Sequence, residues 1–319
     1  MTRENPTCRD IEPDLVAVAA GEAAASAMRG VDRHVAVCRD CRGELARYRV
    51  IEGMVADLRR APVAGADPAL SRAELESRLA DIRSRMVSYG IFSSPLGKIL
   101  IARSELGVSL VRYLESESAG KSYLARLAGG EAVEDKAAVE ATYLELLDYL
   151  SARSTRLSWP LDLRWAGSDF QRRVLAATAE LPYGAITSYS GIARRIGAPA
   201  SVRAVAQALR HNPIPIAIPC HRVIGSSGDL TGYAGSKIGL KERLLSLEGV
   251  PVGLRAHRIE RGHMYACCES ETEYCVPTCG SLSQMPMAEL TLFGSRRNAE
   301  AVGLTPCSSC RPDLHPLSA

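Results

Sequence analysis

The spacing of hydrophobic and polar positions changes several times along the chain. Near the start, "PDLVAVAAGEAAASAM" carries apolar residues suited to two short helices broken at Gly21. His34, Cys38 and Cys41 follow at i, i+4 and i+7, which predicts that all three share one helical face. In "RRAPVAGADPALSRAELESRLADIRSRM" the Ala/Pro/Gly part reads as a linker, and Ser71 with Glu74 as the N-cap and capping box of a charged helix. From Val87 the pattern becomes short alternating runs, "YGIFSSPLGKILIARSELGVSLVRYLES", broken at Pro and Gly, which predicts a β-meander with a helix near Lys136 to Ser151 beside it. From Phe170 the chain is helical again, closing with Pro182 and Gly184. A helix from Ser188 to Ile196, a Gly-Ala-Pro turn, a Ser201 N-cap and a second helix to His211 then have the proportions of a helix-turn-helix, although an ordinary helical hairpin is the commoner meaning of that pattern alone. From about Arg255 the chain is rich in Cys, Ser and Pro.

Composition adds a class. With 319 residues, 46% hydrophobic and 24% charged, the chain suits a soluble protein of two or three domains. No window approaches eighteen uninterrupted apolar residues, and "MTRENPTCRDIEPD" has no charged n-region followed by an apolar core, so the expected location is the cytoplasm with no membrane partner. A net charge of +3 is too small to argue nucleic-acid binding, but its distribution is informative. From Leu181 to Gly228 there is no Asp or Glu, while Arg194, Arg195, Arg203, Arg210 and Arg222 all fall inside that span. It is a candidate phosphate-facing surface, and it shifts the two-helix pattern towards DNA.

The ten cysteines are unevenly placed, and in a cytosolic chain such clustering favours metal or catalysis over disulfides. Cys275-x3-Cys279 and Cys307-x2-Cys310, with residues 280–306 between them, suit a four-thiolate tetrahedral zinc site of the structural kind. Cys8 with His34-x3-Cys38-x2-Cys41 can complete a second tetrahedron, or the segment is a helical interaction module without metal. Cys267 and Cys268 fit neither pattern. Cys220, in "PIPIAIPCHRVIG", has no cysteine neighbour. It is a small core hydrophobe, which is the usual fate of such a thiol, or a nucleophile, which requires a base or a positive field nearby. His221 and Arg222 follow it directly, but in an extended strand successive side chains face opposite ways. His221 then assists only at a local bend or through a bridging water, with Glu248 in "LLSLEG" as the available carboxylate to orient the imidazole.

"IPCHRVIG", with "RAVAQALRHNPIP" upstream, "GYAG" downstream and "KERLLSLEG" beyond, resembles the O6-alkylguanine-DNA alkyltransferase family, also called methylated-DNA-protein-cysteine methyltransferase, over roughly Met86 to Val252. The resemblance implies that Cys220 is the acceptor thiolate, deprotonated by a relay of Glu248, His221 and a water. It implies that Asn212 ties the recognition helix to the active-site loop, and that Tyr189 pushes on the phosphate beside the target; release of guanine also calls for a proton donor, for which Tyr189 is the candidate. Arg203 would fill the vacated place in the base stack, Tyr233 would lie on the closing loop, and Ser201 and Arg210 would join the DNA-facing set. The implied reaction is irreversible, stoichiometric transfer of a methyl or other alkyl group from O6-methylguanine, and by extension O4-methylthymine, in double-stranded DNA, with no dissociable organic cofactor. The O6 atom lies inside the duplex, so chemistry there requires extruding the nucleotide.

"EYCVPTCG" with "GLTPCSSCRP" resembles the metal-binding domain of the Ada response protein, which implies that Cys275 also accepts a methyl group from a DNA phosphotriester. The N-terminal His-Cys-Cys triplet with "AAGE" resembles the zinc-binding anti-sigma domain, which implies a sigma-factor partner and, as the alternative function, an alkylation-responsive transcription regulator. The expected fold is therefore multidomain α+β. Residues 1–55 form a small helical zinc module and 56–86 a linker and charged helix. An RNase H-like β subdomain at 87–167 and a catalytic helical subdomain with the helix-turn-helix at 168–252 make up the alkyltransferase. A small α/β four-Cys zinc module occupies 256–319, giving one or two structural zinc sites.

Overall fold

A computed structural model describes residues 8–60, 68–128, 132–235, 237–253, 257–268 and 271–317, in two compact units, Met1–Glu76 and Ser77–Ala319. In the first, helices α1 (Cys8–Ala20), α2 (Ala25–Val37) and α3 (Arg39–Arg60) enclose a small core of Ile11, Leu15, Val31, Cys41 and Leu45. The break at Gly21 falls where expected. The single helical face does not form: Cys38 is extended at φ −98° and ψ 112°, between α2 and α3. His34, Cys38 and Cys41 thus straddle a helix junction. Helix α3 continues to Arg60, past the expected module end at 55, and the expected linker at 61–67 lies outside the described residues. Helix α4 (Pro68–Arg85) opens on proline, whose fixed φ and missing N–H suit a first helical position, so Ser71 sits inside the first turn rather than at the N-cap.

The second unit opens with the expected meander, β1 (Val87–Ser94), β2 (Gly97–Ser104) and β3 (Gly107–Tyr113), antiparallel in register Ser88↔Arg103 and Ile101↔Val111. Past α5 (Glu117–Ala128), a short β4 (Ala132–Glu134) adds parallel to β1, giving the order β3-β2-β1-β4. Helix α6 (Lys136–Leu150) is capped by Asp135, whose carboxylate accepts from the Ala138 N–H at 3.1 Å. It buries Val139, Leu146 and Tyr149 in the core shared with the sheet.

Next come α7 (Asp169–Ala179), β5 (Ala185–Ser188), α8 (Tyr189–Arg195), α9 (Val202–Arg210), β6 (Val223–Ile224) and α10 (Ile238–Leu247). Helices α8 and α9 are the helix-turn-helix pair; Ser188 caps α8 through the Gly191 N–H at 2.9 Å. The chain then runs through β7 (Tyr265–Cys268), β8 (Glu273–Tyr274), β9 (Leu290–Phe293), α11 (Arg296–Glu300) and β10 (Thr305–Pro306). Strand β5 pairs antiparallel with β9, Ala185↔Phe293 and Ile186↔Leu292, so one sheet of order β6-β5-β9-β7 runs through both the alkyltransferase-like and the cysteine-rich segments. Ile186, Ile224, Leu245 and Val250 share a core with Met264, Ala266, Leu290 and Leu292. The cysteine-rich segment is thus built onto its neighbour, which covers an edge of β5 that would otherwise expose unpaired backbone. No described helix is long and apolar enough to cross a membrane.

Candidate active site

Prolines 213, 215 and 219 deny the segment after α9 a regular ladder. Cys220–Arg222 instead form a single 3-10 turn following Pro219, so the bend that Cys220 and His221 require is present. Asn212, at the end of α9, reaches across it. Its Nδ2 donates to Ile218 O at 2.8 Å and to Cys220 Sγ at 3.2 Å, while its Oδ1 accepts from the Ile214 N–H at 3.0 Å. One amide therefore locks the Cys220 loop to the second helix of the pair.

Behind the cysteine lies a buried charge cluster. His221 is fully buried, and its Nε2 is 2.6 Å from Glu248 Oε1. With that hydrogen on Nε2, Nδ1 is left as the acceptor nitrogen, and it has no partner in the protein. Glu248, 1% exposed, also accepts from Arg222 Nε at 2.7 Å, Arg222 Nη2 at 3.0 Å, the Gly184 N–H at 3.1 Å and the Tyr149 hydroxyl. Burial pushes the Glu248 carboxyl up, but the adjacent His221 and Arg222 outweigh it and hold it well below the usual carboxylate range. Burial lowers the His221 pKa against the pull of Glu248, so the ring is neutral.

Three buried residues around this site were not anticipated in these places. Arg222, expected on the phosphate-facing surface, is 6% exposed and turned inward, where Glu248 compensates its charge. Tyr149 comes from α6 and bonds Arg222 Nη2 at 3.0 Å; nothing in its own segment marks it. Lys241 is the third. It is fully buried and donates to the carbonyls of Val223 and Thr231, and burial brings its pKa down to about 8. Burial raises the Cys220 pKa, while the Asn212 hydrogen bond and the Lys241 charge oppose that rise.

The remaining expected residues fall into two groups. Tyr233 is buried, with its hydroxyl 2.9 Å from that of Tyr113 and its ring edge-on to His221, so it walls the site from inside. Tyr189 is half-buried at the start of α8, where its oxygen accepts from Thr231 Oγ1 at 3.2 Å. Burial raises its pKa, which keeps the phenol protonated. Arg203 and Arg210 are exposed on α9, and Ser201 occupies the N-cap position without making a side-chain cap bond. Arg194 and Arg195 are half-buried instead, donating to Ala288 O and, from Arg195 Nη2 at 3.0 Å, to Thr291 Oγ1. Of the five arginines in the acid-free span, Arg203 and Arg210 alone remain exposed.

The sulfurs of Cys275, Cys279, Cys307 and Cys310 all lie within 4.8 Å of one another. Parallel pairing of β8 with β10, Pro306↔Tyr274, sets Cys307 beside Cys275. Ligand atoms of Cys8, His34, Cys38 and Cys41 also lie within 4.8 Å, with the Cys8 and Cys38 sulfurs 3.8 Å apart and His34 Nε2 buried without a partner. Tetrahedral zinc with Zn–S of about 2.3 Å places sulfurs about 3.8 Å apart, so both groups fit that ion.

These features describe an α+β protein whose helix-turn-helix leads into a buried cysteine backed by an imidazole–carboxylate pair. The family described as "6-O-methylguanine DNA methyltransferase, DNA binding domain" matches residues 169–250, and "Metal binding domain of Ada" matches residues 255–313. A methylated-DNA–protein-cysteine methyltransferase from Mycolicibacterium paratuberculosis is 40% identical over 163 residues, covering 51% of this chain and 93% of that protein. One from Methanosarcina barkeri is 42% identical over 160 residues, 50% of this chain and 96% of that protein. The crystal structure titled "Mycobacterium tuberculosis OGT in complex with DNA" is 40% identical, with 50% of this chain and 92% of that chain covered and a TM-score of 0.44. The chain belongs to the methylated-DNA–protein-cysteine methyltransferase family and carries an Ada-type metal-binding domain at its C-terminal side, with structural zinc as the metal its four thiolates suit.

Proposed function

We propose that this protein repairs alkylated DNA directly, moving a methyl or other alkyl group from O6-methylguanine in duplex DNA to Cys220 in a single turnover. The observation that carries the proposal is the bonded set of Asn212, Cys220, His221, Arg222 and Glu248 at the end of α9, in a chain 40% identical to methylated-DNA–protein-cysteine methyltransferases. Exposed Arg203 and Arg210 suit phosphate contact, with Arg203 filling the stack after the base is extruded and Ser201 beside it at the helix start. Extrusion costs a few kcal/mol. The thiol proton passes through a water to His221 Nδ1, while Glu248 holds the other ring nitrogen. Sulfur attacks the methyl carbon in line: the S–C bond forms, the C–O6 bond breaks, and its electron pair stays on guanine. Tyr189 protonates the departing base, and the proton held on His221 restores the phenol through solvent. The products are guanine and S-methylcysteine. No nearby group can cleave that thioether, so the protein is consumed and needs no dissociable organic cofactor.

O4-methylthymine carries its alkyl group on an exocyclic oxygen as well, and the same step serves it. Each four-ligand group is proposed to hold one zinc, which keeps its sulfurs as thiolates and contributes to folding. Cys275, 5% exposed, is proposed as a second acceptor, taking methyl from a DNA phosphotriester with the electron pair left on the phosphate oxygen. The proposed division is the expected one, except that the N-terminal module runs on to Arg60 with α3 and that β5 and β9 pair across the last boundary. The cytoplasm is the location that keeps these thiols reduced. The two matched families do not extend to α1–α3, so a sigma-factor partner, and the regulator alternative with it, rests on the N-terminal motif alone. Incubation with methylated duplex DNA followed by peptide mass mapping tests the proposal. A methyl adduct on Cys220 is expected; an unmodified Cys220, or undiminished activity in Cys220→Ala, overturns it.

A further inference from the structure

Helix α10 ends in a Schellman cap: the Val250 N–H bonds Leu245 O at 2.9 Å and the Gly249 N–H bonds Ser246 O at 3.0 Å. The carbonyl of Glu248, the C-cap residue, is left over by that pattern. Its partner comes from the cysteine-rich segment, where Asn298 Nδ2 donates to Glu248 O at 3.3 Å. Asn298 is itself fixed, because its N–H donates to the cap hydroxyl of Ser295 at 3.2 Å at the start of α11.

A second connection reaches the carboxylate. The Gly294 N–H, just past β9, donates to Gly184 O at 3.0 Å, and the Gly184 N–H donates to Glu248 Oε2 at 3.1 Å. The approach leaves no room for side chains. A Cβ on Gly184 would lie 1.8 Å from Asn298 Nδ2 and 2.7 Å from Glu248 O, and one on Gly294 would lie 2.2 Å from Gly249 O. Both the carbonyl and the carboxylate of Glu248 are thus held by groups that the cysteine-rich segment supplies or braces.

We propose that Asn298 is a positioning residue for alkyl transfer: through the Glu248 carbonyl it holds the carboxylate that orients His221, so the metal-binding domain completes the acceptor site. The proposal rests on the Glu248–His221 relay put forward above. If Glu248 shifts, the 2.6 Å bond that fixes the His221 tautomer loosens, and Cys220 loses its proton less readily. A cap bond that served only folding would leave the ionisation of Cys220 untouched, which separates the two roles.

The test uses the full-length protein, Asn298→Ala and Asn298→Asp, the latter keeping the shape while replacing the donor with an acceptor. Three quantities are measured: methyl transfer from methylated duplex to Cys220, the pH dependence of iodoacetamide labelling followed on the Cys220 peptide, and the thermal unfolding midpoint. Losing one hydrogen bond of ordinary strength is expected to slow transfer about threefold to tenfold. The labelling midpoint should move to higher pH in both variants. An unchanged labelling profile and transfer rate overturn the proposal, and so does a lowered unfolding midpoint with the labelling profile unmoved. If Asn298→Ala does not fold, Asn298→Ser serves as the smaller perturbation under the same criteria. Labelling needs no DNA, so a parent protein that fails to take up methyl refutes the repair function while the labelling profiles still judge Asn298.

Discussion

Replacing Glu248 with glutamine removes one charge at almost constant shape from the most densely bonded carboxylate of the site. The residue is 1% exposed and accepts from His221, Arg222, Tyr149 and Gly184. In Glu248→Gln an amide N–H replaces one acceptor, so donors face a donor, and Arg222 at 6% exposure keeps its charge without a counter-ion. Breaking one side of a buried ion pair costs about 3–5 kcal/mol, a large share of the ~5–15 kcal/mol that holds a typical domain together. Urea unfolding followed by the fluorescence of Trp159, buried in the same core, and of Trp165 measures the loss. The pH dependence supplies a sign. The folded-state pKa of Glu248 is depressed, so its contribution is complete above the unfolded value of about 4.3 and is lost progressively as pH falls from there towards the folded value. The gap between parent and variant should therefore begin to narrow below about pH 4. A difference under about 1 kcal/mol at pH 7 would refute the view that this carboxylate neutralises Arg222.

Lys241→Met should move the iodoacetamide-labelling midpoint of Cys220 to higher pH, because it removes a buried cation that favours the thiolate. Lys241 has its pKa lowered to about 8, so the folded state binds its proton less tightly than the unfolded chain does. The parent should then gain stability as pH rises from about 8 towards 10, and Lys241→Met should lack that rise in a urea series at several pH values. Arg210→Ala should weaken DNA binding alike for all sequences and reduce the slope of log affinity against log salt by about 1, measured by fluorescence anisotropy. Metal analysis should find two zinc ions per chain, falling to one in Cys307→Ser and also to one in His34→Ala. Because β9 pairs with β5, chelation should lower the unfolding midpoint reported by Trp159 and Trp165 as well as that of the cysteine-rich segment.

The sequence by itself determined what short-range spacing encodes. The helix-turn-helix, the adjacency of Cys220 and His221, the prolines that force a turn there, and the two Cys/His ligand sets are all legible because their physical reasons act within a few residues. Even so, helical spacing misplaced Cys38, since a ligand set needs only converging atoms and not one continuous helix. Tertiary structure alone decided which way each arginine turned. Arg222 faces inward because Glu248 and Tyr149, far away in the chain, meet it there, and Arg194 and Arg195 are claimed by the cysteine-rich segment. Strands β5 and β9 are four residues each, too short for periodicity to register, and their pairing joins segments about a hundred residues apart. Asn298 reaches Glu248 only because that pairing exists. A charge count along the chain records how many cations a segment carries, whereas which of them meet water depends on long-range partners that local pattern does not specify.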